Sequence, residues 1–93
     1  MSLLADDEVD AQLARRAPLW TRDGLAIART VVASSYLEGI DLVRRVAEAA
    51  EQANHHPDIE IAWTSVTFTL ATHSEGGVTD KDIAMATQID ALV

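Results

Sequence analysis

Apolar positions recur along this chain with two different periods, and the switches between them mark out its elements. Residues 6–16 read as a helix. Val9 and Leu13 lie four apart on one face, Asp6 or Asp7 is placed to cap it, and the acids of its first turn sit where the helix dipole favours them. Pro18 ends it. Leu19-Trp20-Thr21 and Leu25 to Val32 read as two strands, with Asp23-Gly24 as the hairpin signal between them. In the second strand Leu25, Ile27, Arg29 and Val31 share a face, so one charge interrupts an apolar row. Ser35 and Glu38 fit the S-x-x-E capping box. Tyr36, Ile40, Val43, Ala47 and Ala50 then follow as one apolar stripe on a long helix, which Asn54 and Pro57 limit.

Beyond that helix the period returns to two. Ile59, Ile61 and Trp63 alternate with Glu60 and Ala62, and Val66, Phe68 and Leu70 alternate with Thr67, Thr69 and Ala71. These are two half-buried strands turning near Thr64-Ser65. Gly76-Gly77 marks a loop, Thr79 to Asp82 a second capping box, and Ile83, Ala86 and Ile89 a closing helix. The order α-β-β-α-β-β-α, with no linker or repeat, predicts a single domain over residues 1–93 of α+β class. Its core would be a four-stranded antiparallel sheet with the helices packed on one face. That leaves the other sheet face, or an edge strand, in need of cover, and a homo-oligomer supplies it economically.

Composition narrows the chemistry. There is no cysteine, which removes disulfides, thiolate zinc sites and cysteine nucleophiles together. No apolar run reaches the roughly 18 residues a membrane span needs. Leu3-Leu4-Ala5 is too short for a secretory signal, and Asp6-Asp7-Glu8 follows it, so a soluble cytoplasmic protein is expected. The net charge of −8 argues against direct binding to nucleic acid. The six arginines fall between residues 11 and 50 without forming a tract, and read as solvated faces.

All three histidines lie in the more acidic part of the chain. His55-His56-Pro57 sits where the long helix ends and a strand begins, and His73 follows the last strand. The expected layout allows these places to meet at one end of the sheet. Imidazole is the side chain best suited to moving protons near neutral pH. Glu51 stands one helical turn before His55, placed to orient that ring. Each feature also has a plain structural reading. Adjacent histidines can cap a helix end, His73 can be a loop residue, Asp82 is explained by its capping box, and Trp63 and Phe68 by the core. Three histidines can also bind zinc, although no H-E-x-x-H spacing exists. No nucleophile elbow, P-loop or dinucleotide fingerprint is present.

The arrangement Glu51, His55-His56-Pro57, Trp63, His73 and Asp82, with Trp20, Thr72-His73, Gly76-Gly77 and Thr79 to Asp82 around it, resembles the signature of pterin-4a-carbinolamine dehydratases. The resemblance spans about residues 3 to 90. It implies a small α+β protein that assembles as a dimer or tetramer. It implies dehydration of 4a-hydroxytetrahydrobiopterin, or a related pterin, to the quinonoid dihydropterin, which recycles the cofactor of aromatic amino acid hydroxylases. No metal or organic cofactor is implied. By motif position His55, His56 and His73 are the implied catalytic histidines, and Glu51, Asp82, Lys81 and Trp63 the residues at or beside the pterin. Two imidazoles flanking a flat heterocycle can protonate the leaving hydroxyl and remove a ring proton. His55 and His73 are the expected pair, with His56 orienting the substrate.

The sequence departs from the family at Asn54, where many members place an acid, at Lys81, where others have arginine, and at Ile59-Glu60, where vertebrate members are aromatic. Two other readings stand beside this one. Some relatives act as a dimerisation cofactor for a homeodomain transcription factor or as RuBisCO assembly factors. A metal hydrolase built on the histidine cluster is the third class.

Overall fold

A computed structural model describes residues 2–93. Its elements are α1 (Asp6–Arg16), β1 (Thr21–Asp23), β2 (Ala26–Val32), α2 (Tyr36–Ala53), β3 (Asp58–Ala62), β4 (Ser65–Leu70) and α3 (Asp80–Leu92). The strands form one antiparallel sheet in the order β1-β2-β4-β3. The expected α+β order and four-stranded sheet are therefore the observed ones. Ile27, Val31, Val66, Phe68 and Leu70 point to the same side of the sheet and pack with Val9, Leu13, Leu42, Val46, Ile83, Ala86 and Ile89 of the helices. The centre of the opposite face carries small side chains, where Ala28 pairs with Thr69 and Thr30 with Thr67, whose hydroxyls lie 2.8 Å apart, and β3 adds Asp58 and Glu60 beside them.

Both hairpin turns fall one residue from where the pattern puts them. The first turn is Gly24-Leu25, so Asp23 closes β1, Leu25 is exposed, and Trp20 lies before the strand rather than in it. The second is Trp63-Thr64, with Ser65 already in β4. Two-residue hairpins need positive φ at the first turn position, and Gly24 (φ 61°) and Trp63 (φ 52°) supply it. Trp63 is thus a turn residue, 79% exposed, and not core. Helix α1 starts after Ala5 with no side-chain cap; Asp6, Asp7 and Glu8 occupy its first turn instead. Arg22 of β1 bonds Asp10 of α1, and that hydrogen bond holds the Asp10 carboxyl below the usual carboxylate range.

The charge inside the apolar row of β2 is also accounted for. Arg29 Nη1 and Trp20 Nε1 both donate to Asp90 Oδ1 of α3, at 2.5 and 2.8 Å. A carboxylate on the last helix therefore gathers the chain before β1 and the inner face of β2 beneath it.

Helix α2 is rotated from the expected stripe. It buries Gly39, Leu42, Val46 and Ala50, while Tyr36, Leu37 and Ala47 are exposed. Gly39 is the reason, because there the helix lies against the sheet. A Cβ at this position would meet Val66 Cγ2 at 3.3 Å and Ala33 Cβ at 3.5 Å. Alanine in place of glycine gains about 1 kcal/mol of helix propensity, whereas a longer side chain has nowhere to go. Gly39→Ala is expected to leave stability within about 1 kcal/mol of wild type, and Gly39→Leu to lower it by about 1–3 kcal/mol net of propensity. Urea unfolding of the two variants beside wild type measures the difference.

Candidate active site

The end of α2 sets the direction of two histidines. Asn54 adopts the left-handed conformation (φ 50°). Its amide donates to the Glu51 carbonyl and the His55 amide to the Ala50 carbonyl, the paired closure of a Schellman motif. Asparagine tolerates this backbone better than most residues, which gives a local reason for its presence before the histidine pair. The chain then leaves the helix as His55-His56-Pro57 and enters β3.

His73 arrives from the other side. After β4 the chain folds into a tight loop in which Thr72 pairs with Gly77. Gly76 (φ 77°) takes a backbone that few other residues accept, and its amide donates back to the Thr72 carbonyl at 3.0 Å. His73 is exposed on this loop. His55, His56 and His73 line one cleft of about 270 Å³ together with Asn54, Ala71, Thr72, Ser74 and Lys81.

Under the cleft lies Asp82, fully buried. Its Oδ2 accepts from the Thr79 amide (2.9 Å) and from the Thr72 hydroxyl (2.8 Å). Because Thr72 spends its one proton on Asp82, the 2.7 Å contact between Thr72 and Thr79 has Thr79 donating. Thr79 and Asp82 form the reciprocal capping box of α3. The other carboxylate oxygen, Oδ1, stands 2.5 Å from His55 Nε2. With Asp82 as acceptor the proton resides on Nε2, and Nδ1 is the nitrogen left for other chemistry.

The pairing of acids with histidines differs from the spacing argument. Glu51 meets His56, Nε2 to Oε1 at 3.0 Å, and not His55. The left-handed turn at Asn54 carries His55 away from the helical position one turn above Glu51 and swings it toward α3. Lys81 lies at the cleft as expected. Trp63 does not: it sits at the far end of β3 from His56, beyond a strand whose five residues span roughly 16 Å at about 3.3 Å per residue. Among the described residues no three His, Asp or Glu side chains are grouped to hold a metal ion. No helix among the described residues is long and apolar enough to cross a membrane.

Known proteins resemble this chain along almost its whole length. The profile of the family described as pterin 4 alpha carbinolamine dehydratase matches residues 2–92. The chain belongs to that family. It is thereby placed among hydro-lyases. A Mycobacteroides abscessus relative named for this dehydratase is 55% identical over 93 residues, covering 100% of this chain and 98% of its own. A Nocardia farcinica relative of the same name is 57% identical over 90 residues, covering 97% and 94%. A crystal structure from Brucella melitensis, described as a transcriptional coactivator/pterin dehydratase, superposes with a TM-score of 0.90 at 32% identity and 98% coverage of both chains. A pterin dehydratase-like protein identified as a RuBisCO assembly factor in the alpha-carboxysome shares the fold, with a TM-score of 0.65 at 22% identity over 78% of this chain and 84% of its own.

The Asp82 carboxylate serves the fold and the cleft at once, so its loss is expected to be costly. Asp82→Asn turns one acceptor into a donor facing either the Thr79 amide or His55, and should lower stability by about 1–3 kcal/mol. Thr72→Val, which removes one donor at nearly constant volume, should cost about 1 kcal/mol. Chemical denaturation of both variants measures this, and an Asp82→Asn protein as stable as wild type contradicts the shared role.

Proposed function

We propose that this protein removes water from a 4a-hydroxytetrahydropterin, giving the quinonoid dihydropterin, by histidine acid/base catalysis. The observation that carries the reading is the convergence of His55, His56 and His73 on one cleft in a chain of the dehydratase family. The reaction is an elimination across the N5–C4a bond. The C4a–O bond breaks as its hydroxyl takes up a proton and leaves as water, and N5 gives up its proton as the C4a=N5 bond forms. Two proton-transfer groups on different segments suffice, and each contributes about 10²–10⁴-fold. Holding the ring between them supplies the rest.

In this reading His55 and His73 carry the two transfers. His55 is held by Asp82, so its Nδ1 is presented without the ring having to search for an orientation. His73 comes from the loop after β4 and meets the same cleft. His56, tied to Glu51, orients the substrate, and Lys81 lies where a donor to the ring's oxygen or nitrogen is wanted. Trp63 receives no role in the cleft of its own chain. The product is then reduced elsewhere, which makes the protein a recycler of a pterin cofactor such as that of an aromatic amino acid hydroxylase.

A homodimer or homotetramer belongs to the same proposal. Strand β3 is an edge of the sheet, and α2 turns Tyr36, Leu37 and Ala47 outward. Light scattering on the purified protein should give the mass of two or four chains, and Leu37→Asp should reduce it.

The catalytic test follows freshly generated 4a-hydroxytetrahydropterin by ultraviolet absorbance. Wild type should outrun the spontaneous dehydration. His55→Ala and His73→Ala should each lower kcat by about 10²–10⁴-fold, and His56→Ala should act mainly on KM. Equal activity in all three variants overturns the assigned roles. A wild type no faster than the spontaneous reaction overturns the function, and points instead to binding of a protein partner through α2.

A further inference from the structure

We infer that the hollow on the far side of His73 is a specificity pocket for the substituent a pterin carries at C6; this rests on the dehydratase reading above. The histidine cleft does not end at His73. A second hollow, also of about 270 Å³, is lined by Leu25, Ala26, Ala71, His73, Gly76 and Gly77. It shares Ala71 and His73 with the cleft, so those two residues stand between the chambers.

The two chambers differ in chemistry. The cleft presents three imidazoles, an amide, two hydroxyls and an ammonium group. The hollow presents aliphatic carbon and glycine backbone, and His73 is the one ionisable group in its wall. Its glycine amides are already engaged: Gly76 donates to the Thr72 and His73 carbonyls and Gly77 to that of Thr72. A hydroxyl entering the hollow gives up water without gaining those donors, whereas a methyl or ethyl group gives up nothing. Leu25 supports the same conclusion. It is an apolar residue, 73% exposed, at the second position of a two-residue hairpin turn, where polar residues are usual.

The connectivity of the substrate links the chambers. Dehydration acts on C4a and N5, and C6 is the carbon bonded to N5. A ring placed with those two atoms beside His73 therefore starts its C6 substituent at the boundary that His73 and Ala71 form. The chain at C6 then runs past His73 into the hollow, against Leu25, Ala26 and the Gly76-Gly77 backbone. The preferred substrates are pterins whose C6 substituent is short and ends in apolar carbon, over those bare at C6 or ending in a hydroxyl.

The test compares kcat/KM for the freshly generated 4a-hydroxy forms of 6-propyltetrahydropterin and of unsubstituted tetrahydropterin. Wild type should prefer the 6-propyl compound by about tenfold or more, the discrimination a few carbons earn in an apolar pocket. Leu25→Ser should reduce that ratio several-fold, mainly through KM. Ala26→Phe, which fills the hollow from its floor, should bring the ratio to one or below. Leu25 is exposed and Ala26 lies outside the core, so both variants are expected to fold. Turnover above the spontaneous rate with no preference in wild type, or with a ratio unmoved in both variants, overturns the pocket and leaves the dehydratase reading intact. Wild-type turnover no faster than the spontaneous reaction of either compound removes both.

Discussion

A single buried carboxylate joins the fold of this protein to its histidine cleft. Asp82 has no exposure to solvent, and a carboxylate in that position persists only if its oxygens are satisfied. One oxygen starts α3 by capping Thr79 and takes the hydroxyl of Thr72; the other holds His55. The last helix, the end of β4 and the end of α2 thus meet at one group. The cost of keeping a carboxyl group in the interior is offset by contacts the fold needs anyway, and the orientation of the His55 imidazole comes with them.

That arrangement gives the three histidines unequal freedom. His55 is fixed from beneath, by a residue buried in the core. His56 is tied to Glu51 at the surface, where water competes for the same hydrogen bond. His73 rides on a loop held by its own backbone pairing between Thr72 and Gly77. The proposed reaction asks mainly for positioning, and a ring held from the core supplies it on one side of the cleft.

Much of the fold was legible in the sequence, and the misses have physical causes. Periodicity located the helices and the three longer strands, while β1, expected at Leu19 to Thr21, lies at Thr21–Asp23; the second capping box was read at the correct residues, because it is a local signal. Both hairpins slipped by one position because the turn depends on φ at Gly24 and Trp63, and a tryptophan in a left-handed conformation carries no compositional signal. The face of α2 was misread because Gly39, which hydropathy ignores, is what allows the helix to approach the sheet. The family signature named residues that the structure gathers in and around one cleft, Trp63 excepted, but it did not reveal their wiring. His55 to Asp82 and Arg29 to Asp90 join residues 27 and 61 apart, and no local pattern reports such partners. The pairing of Glu51 with His56 rather than His55 turns on the single left-handed residue between them.

The placement of the two tryptophans has an optical consequence. Trp20 is buried, with its indole N–H on Asp90, in a knot that holds β2 to the last helix. Trp63 stands in solvent at the tip of the β3–β4 hairpin. The chain therefore carries two indole fluorophores in opposite surroundings. The blue-shifted emission of the first reports whether the interior is intact, and the quenchable red-shifted emission of the second reports what comes to rest against the end of the sheet.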